Sequence, residues 1–494
     1  MTIRKEIRPL QALLLSAVAV ALANCGGGTT VGSNTLPTSP SGNSGTPAPG
    51  TATTPAPGTS STPAPGTSSG PAPGTSSAPG AGSTSTPSAS GNAAVGIPFP
   101  AATDSDPFYA QPSPFPNLAH GTILSSRSIT YEPDDVTMPN TAYQVKFVSQ
   151  DIYGRKIAAV MTVVEPLTPA AAPEPLYVEA FPEDSLTAQC APSHFATGGT
   201  ADGDTQDSNE VAETPIATGA LSAGYTLVMP DFEGPFSEYA VARQSGYITL
   251  DSMIAAENFA PLGLNAKTPI GENGYSGGAH AVSWAAAEQP TYAPELNLVG
   301  TSSGGTPADI LGILENIDGT SSLSVVANEA FFDIIYMSAV GINRGYPNFL
   351  TPILNAKGVA AAVAMENGCV GKNSDGSSGP SGHFADYVAV SPFYTNPHVL
   401  TTTEAASEPQ FGLVPTSNMF IYHSVTDELI PVAGVDNLVK TWCGDGTPIE
   451  YYRAANGGDH VTMDVQTQAI VLAYMADRFN GSALTLPPQT TDCN

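Results

Sequence analysis

The chain has 494 residues, with 15 Lys and Arg against 44 Asp and Glu, and only 12% of its residues are charged. Residues 26–103 carry no Asp, Glu, Lys or Arg, whereas residues 104–494 carry 12 basic and 43 acidic side chains. This acidic surplus repels phosphates, which excludes nucleic acid as a partner and a polybasic patch as a membrane anchor.

The first 24 residues have the pattern of an export signal peptide. Basic residues precede an apolar run over residues 10–23, which is shorter than the about 20 residues that a membrane-spanning helix needs. The run ends in Leu-Ala-Asn-Cys-Gly at 22–26, which resembles a bacterial lipobox, although that motif prefers Gly, Ala or Ser at the position of Asn24. We expect an exported protein, either an outer-membrane or cell-surface lipoprotein anchored in the membrane through a lipid on Cys25, or a protein secreted after cleavage at Ala-Leu-Ala, 21–23.

Residues 25–96 are rich in Gly, Pro, Ser and Thr. The sequence Pro-Ala-Pro-Gly recurs every eight residues between positions 47 and 74. With no charged residue and hardly any large apolar side chain, this segment cannot bury enough surface to offset the entropy of ordering. It is predicted to be a disordered tether, and residues 97–494 are predicted to be the catalytic domain.

Beyond residue 97, segments with strand character alternate with helical ones. Strands are predicted over residues 143–148, 157–164, 225–230, 296–299, 418–423 and 449–453, and helices over 432–442 and 461–479. Residues 306–395 are mostly helical or loop-like, and Thr306 with Pro307 is typical of a helix start. This order predicts an α/β fold with a mostly parallel sheet, helices on both faces and a helical cap inserted at 306–395.

Three Gly-x-Ser-x-Gly sequences occur in the chain, and they differ in their surroundings. The first, at 66–70, lies in the tether. The second, centred on Ser302, follows a predicted strand but is separated from the next helix. The third, centred on Ser276, leads directly into an Ala-rich helix, as a nucleophile elbow requires, with Gly274 and Gly278 allowing the tight turn. Ser276 is the predicted nucleophile and Ser302 its rival, although the residues before Ser276 make a poor buried strand.

A serine hydroxyl becomes a nucleophile when a histidine takes its proton and a carboxylate orients that histidine. In α/β-hydrolases the three residues follow in the order Ser, acid, His. His460 lies in the loop after the last predicted strand, where such a histidine belongs. Asp427 follows the preceding strand and is the predicted acid, with Glu428 and Asp459 as rivals. No Cys/His spacing suggests a metal site, and this chemistry needs no cofactor.

Four motifs together resemble the secretory lipase family. They are Gly-Tyr-Ser-Gly-Gly-Ala at 274–279, Pro-Asp-Phe-Glu-Gly-Pro at 230–235, Cys-Ala-Pro-Ser at 190–193 and Asp-Glu-Leu-Ile-Pro at 427–431. The resemblance implies an α/β-hydrolase core, a cap over an acyl-binding tunnel and hydrolysis of carboxylic esters, including triacylglycerols. It also implies an oxyanion hole formed by the backbone N–H of Gly277 and by Asp231. The alternative is that Asp231 is a structural turn residue and takes no part in the oxyanion hole.

Five cysteines are present, and Cys25 is the odd one if the other four pair. In an oxidising compartment we expect two disulfides, Cys190–Cys369 and Cys443–Cys493 in chain order, although three pairings are open and a lone reactive thiol is the rival reading.

The expected function is a monomeric lipase or esterase acting on neutral lipid-like esters. A carboxylesterase or polyester hydrolase acting on other esters is the close alternative, since the same triad would serve it. A catalytically silent surface-binding protein on the same scaffold is a third hypothesis, which the complete triad disfavours.

Overall fold

The computed structural model describes residues 97–198, 207–408 and 412–493, without the side chains of residues 207–211. The predicted signal peptide, the tether and Cys25 lie outside the described residues.

A ten-stranded sheet forms the centre of the described region, with its strands in the order β1-β2-β3-β5-β4-β6-β7-β8-β9-β10. All neighbouring pairs from β5 to β9 are parallel. The first three strands form an antiparallel meander that joins β5, and β10 is antiparallel to β9. In chain order the strands are β1 (Ile123–Tyr131), β2 (Met138–Gln150), β3 (Lys156–Val164), β4 (Leu176–Ala180), β5 (Thr226–Pro230), β6 (Ile270–Tyr275), β7 (Leu298–Gly304), β8 (Met419–Ser424), β9 (Ile449–Ala454) and β10 (Thr491–Asp492).

Helices pack against both faces of the sheet. Successive strand residues point to opposite faces, so that Tyr177 joins the core of one face and Val178 the core of the other. Helices α2 and α10 cover the first face, and α3 and α4 cover the second. In chain order the helices are α1 (Pro192–Phe195), α2 (Asp207–Ser222), α3 (Ala242–Asn258), α4 (Gly277–Tyr292), α5 (Ile310–Ile317), α6 (Ser322–Gly345), α7 (Ala356–Met365), α8 (Pro397–Ala406), α9 (Val432–Gly444) and α10 (His460–Asn480).

The helices α5 to α8 lie between β7 and β8 and share a separate apolar core. The expected cap, 306–395, falls within this insertion, and helical structure continues beyond it through α8. The first helix of the insertion starts at Ile310 rather than at Pro307. The reason is that Asp309 caps the helix by accepting from the N–H of Gly312, whereas the hydroxyl of Thr306 is hydrogen bonded to Ser303.

Both disulfides expected from chain order are present. Cys190–Cys369 joins the segment after β4 to the cap, and Cys443–Cys493 joins the end of α9 to the residue after β10. The free-thiol alternative does not apply to these four cysteines.

Candidate active site

The turn between β6 and α4 has the geometry of a nucleophile elbow. Ser276 lies between the last strand residue and the first helix residue, with φ 53° and ψ −118°, a left-handed conformation that costs a non-glycine residue energy. Strand and helix approach so closely that a Cβ on Gly278 would collide with the carbonyl oxygen of Ala180, and one on Gly274 with the backbone of Gly278. The two glycines are therefore steric requirements of the turn.

The structure brings the predicted nucleophile, base and acid together. The Oγ of Ser276 lies 3.0 Å from Nε2 of His460, and Nδ1 of the same ring lies 2.7 Å from Oδ2 of Asp427. The three residues follow the carboxyl ends of β6, β9 and β8, which meet at one edge of the parallel sheet. A hydrogen-bonded series of this kind allows a histidine to remove a proton from a serine.

The environment of the pair His460 and Asp427 favours the charge separation that catalysis requires. Burial alone would lower the pKa of His460, but the charge and hydrogen bond of Asp427 outweigh it and raise that pKa above its ordinary value. Burial alone would raise the pKa of Asp427, but the interactions with His460 and the backbone N–H of Ile430 lower it. The carboxylate thus stays ionised beside a histidine of increased basicity.

The rival residues occupy other positions. Ser302 is buried within β7. Asp459 caps α10 by accepting from the N–H of Thr462 at 2.8 Å, and Glu428 accepts from the backbone N–H of His460 at 3.1 Å.

The structure corrects the placement of Asp231 in the oxyanion hole. Its N–H donates to the carbonyl of Val160, and its carboxylate accepts from both the N–H (2.9 Å) and the hydroxyl (2.6 Å) of Ser193. Among the described residues, it is not one of those that line the cavity at Ser276. The reason is topological: Asp231 follows β5, and β4 separates β5 from the nucleophile strand β6.

Asp184, unlike Asp231, lines the cavity at Ser276. It follows β4, the strand next to β6, and loops after this strand supply the second oxyanion donor in α/β-hydrolases. A Cβ on Gly277 would lie 2.9 Å from Oδ1 of Asp184, so the carboxyl faces the residue after the nucleophile. Gly277 is also the first residue of α4, where a backbone N–H has no partner within the helix.

A cavity of about 300 Å3 opens at Ser276. The two cap helices α5 and α6 present apolar side chains at helical spacing to it. The apolar wall includes Phe232, Ile310, Ile313, Leu314, Phe331, Ile334, Ile335, Leu429 and Ile430.

Two buried carboxyl groups, Glu213 and Asp464, also line this cavity. Burial raises the pKa of both, and their proximity to each other raises that of Glu213 further. These carboxyls therefore take up protons at higher pH than exposed ones, which lowers the negative charge of the cavity wall. A wall of lower charge suits an uncharged ester, although the chain as a whole is acidic.

His423 is a supporting residue that the sequence did not reveal. It lies inside β8, and its Nε2 donates to the carbonyl of Ile430 at 2.9 Å, with Oδ2 of Asp427 3.5 Å away. The imidazole thus holds the loop that carries the acid. In the described ranges, no group of three His, Cys, Asp or Glu side chains is arranged to hold a metal ion.

The family model described as "Secretory lipase" matches residues 204–486 of the chain. The chain belongs to the secretory lipase family. It is accordingly an exported enzyme that hydrolyses esters, and the family expected from the four motifs is confirmed.

Curated relatives and solved structures agree with this membership. "Lipase 4" of Candida albicans is 32% identical over 400 residues, covering 78% of this chain and 83% of the relative. "Secreted triacylglycerol lipase LIP1" of Malassezia furfur is 29% identical over 398 residues, covering 77% of each chain. The structure of Candida antarctica lipase A in its closed state matches with a TM-score of 0.68 at 25% identity, covering 77% of this chain and 87% of that one.

A more distant likeness concerns the fold alone. The rice cell wall degrading esterase LipA from Xanthomonas oryzae matches with a TM-score of 0.57 at 15% identity, covering 74% of this chain and the whole of that one. The predicted α/β-hydrolase fold is confirmed.

Proposed function

We propose that the protein is a triacylglycerol lipase or esterase in which Ser276, His460 and Asp427 form the catalytic triad. The observation that carries this proposal is the continuous series of hydrogen bonds from Ser276 through His460 to Asp427 at the wall of a largely apolar cavity. A serine activated in this way attacks acyl carbons, and apolar walls accommodate the acyl chain.

The reaction proceeds through an acyl-enzyme. The Oγ of Ser276 attacks the ester carbonyl while Nε2 of His460 takes the hydroxyl proton, and Asp427 stabilises the resulting imidazolium. When the tetrahedral intermediate collapses, His460 gives the proton to the leaving alcohol. Water then repeats the sequence on the acyl-serine, which releases the fatty acid and restores the hydroxyl of Ser276.

The oxyanion of the tetrahedral intermediate is held by the backbone N–H of Gly277 and by Asp184. A carboxylate would repel an oxyanion, so the side chain of Asp184 can donate a hydrogen bond to the oxyanion only when its carboxyl carries a proton. The proximity of its Oδ1 to Gly277 supports this role.

Replacing Asp184 with alanine is expected to lower kcat about 100-fold, the usual effect of removing one oxyanion donor. Asp184→Asn keeps an N–H donor of similar shape and should retain most of the activity. The matched control is Asp231→Asn, expected to change kcat by no more than a few-fold. Initial rates with p-nitrophenyl butyrate measure all three, and a wild-type kcat for Asp184→Ala contradicts the assignment.

The substrate class is tested by hydrolysis of p-nitrophenyl esters from C2 to C16 and of a triacylglycerol emulsion. The apolar residues contributed by α5 and α6 favour esters with long acyl chains and activity on the emulsion. A sharp preference for C2 to C4 without emulsion activity would instead identify a carboxylesterase or polyester hydrolase.

The protein is anchored to a membrane through lipidated Cys25. The lipobox-like sequence before this residue and the pairing of the other four cysteines support the anchor. Cys25→Ala should move the enzyme from the membrane fraction to the soluble exported fraction, measured by activity after ultracentrifugation. Unchanged membrane retention would show that the protein is held by other means.

A further inference from the structure

Arg344 is buried near the end of α6, with 2% of its surface exposed. Its guanidinium donates to backbone carbonyl oxygens at five positions. Nε donates to Phe99 at 2.8 Å, Nη2 donates to Glu366 at 2.7 Å, and Nη1 is shared among Leu186 at 2.9 Å, Phe236 at 2.8 Å and Ser237 at 2.7 Å.

These carbonyls belong to separate segments of the chain. One of the segments is residues 181–191, which we call the oxyanion loop. Leu186 lies in this loop, two residues after Asp184, and Glu366 lies in the cap after α7. Phe236 and Ser237 lie between β5 and α3, and Phe99 lies in the segment that precedes β1. The five N–H groups of a guanidinium are suited to binding several carbonyls at once.

The oxyanion loop is also bonded directly to the cap. The N–H of Leu186 donates to Gly368, and the N–H of Val370 donates to Asp184, both at 2.9 Å. The disulfide Cys190–Cys369 covalently joins the same two segments. Arg344 binds one carbonyl in each of them, so the loop and the cap segment are held together by three kinds of bond.

Asp184 needs such support because its backbone is strained. Its φ of 42° lies in the left-handed region, which a non-glycine residue adopts only where its surroundings enforce it. Leu186, which Arg344 binds, is only two residues away. The loop would otherwise relax toward an ordinary conformation and carry the carboxyl away from Gly277.

Burial lowers the pKa of Arg344 to about 10, although the carboxyls of Glu238 and Glu233 oppose the shift. The guanidinium is still charged at neutral pH. A lysine at this position would keep the charge but has only three donors on one nitrogen, and cannot reach carbonyls on several sides.

We propose that Arg344 is a positioning residue for ester hydrolysis, which holds the oxyanion loop so that the side chain of Asp184 stays against Gly277. This inference rests on the proposed oxyanion role of Asp184. Arg344 does not contact the substrate, and its effect is confined to the chemical steps in which the oxyanion forms.

The test is a double-mutant cycle with Arg344→Lys and Asp184→Ala, measured as kcat and KM on p-nitrophenyl butyrate. Arg344→Lys should lower kcat about 10-fold in the wild-type background, with KM within about twofold, since small displacements of catalytic groups mainly affect rate. In the Asp184→Ala background it should lower kcat less than twofold further, because the donor it positions is already gone. Arg243→Lys is the matched control, an arginine that pairs with Glu288 outside the oxyanion loop, and should leave kcat unchanged.

Equal losses in both backgrounds would mean that Arg344 acts on general structure alone and would overturn the proposal, as would an unchanged kcat in Arg344→Lys. Wild-type activity in Asp184→Ala would remove the basis of the proposal, while an inactive Ser276→Ala would show that the proposed hydrolase function still holds. If Arg344→Lys does not yield folded protein, judged by circular dichroism, Arg344→Gln takes its place in the same cycle.

Discussion

Replacing Ser276 with alanine is expected to lower kcat for p-nitrophenyl butyrate by about 100,000-fold or more, as the loss of a triad serine does in other hydrolases. The variant lacks the Oγ that lies 3.0 Å from His460, so no acyl-enzyme can form. The fold should be preserved, because removing an oxygen from the elbow creates no collision.

Ser302→Ala is the matched control for this variant, since Ser302 is the centre of the rival Gly-x-Ser-x-Gly sequence. Its hydroxyl is buried in β7, away from the triad, and the loss of this hydroxyl should leave kcat within about twofold of wild type. Full activity in Ser276→Ala, or a comparable collapse in Ser302→Ala, would refute the assignment of the nucleophile.

Asp427→Asn should be the next most damaging change, lowering kcat about 10,000-fold at neutral pH. The amide has no negative charge with which to stabilise the imidazolium, and it favours the wrong tautomer of His460. Because Asp427 raises the pKa of His460, its loss should also move the acidic limb of the residual kcat/KM profile to lower pH. Rates measured from pH 5 to pH 9 provide both quantities.

The matched control is Asp459→Asn, which changes the rival acid next to His460. Asparagine caps a helix about as well as aspartate, so that α10 should start unchanged and kcat should stay within a few-fold of wild type. A larger loss of kcat in Asp459→Asn than in Asp427→Asn would show that Asp459, and not Asp427, is the acid that orients His460.

The sequence identifies the three residues of the proposed triad because each of them has a local signal. Ser276 is enclosed by glycines and followed by a helix former, and Asp427 and His460 each follow a predicted strand. Six strands are predicted where β2, β3, β5, β7, β8 and β9 occur, since runs of β-branched and aromatic residues mark them.

Strand β6, which precedes Ser276, shows why the sequence does not predict every strand. Its six residues are all buried, yet they include Glu272 and Asn273, which suggest exposure. These side chains are hydrogen bonded to neighbouring strands: Glu272 accepts from Thr301 at 2.7 Å, and Asn273 donates to Glu179 at 2.8 Å. A buried strand with such pairs cannot be recognised until its neighbours are known.

For a related reason, the sequence does not show that Asp184, rather than Asp231, lies against Gly277. Asp184 and Asp231 both follow short buried strands, and nothing in the local sequence says which strand lies beside β6. The crossing of β4 and β5 in the sheet decides between them, and strand order is a property of the assembled fold. Arg344 could not be found from the sequence either, because its partners are backbone carbonyls of distant segments.

The disulfide Cys443–Cys493 has a consequence for the behaviour of the enzyme at high concentration. The open edge of β9 is covered by only two residues, Thr491 and Asp492, and the disulfide lies one residue further along. At this part of the edge, an incoming strand from another copy meets a short segment that the disulfide holds in place, rather than free N–H and C=O groups. The disulfide therefore limits edge-to-edge pairing with another copy at Glu450 and Tyr451.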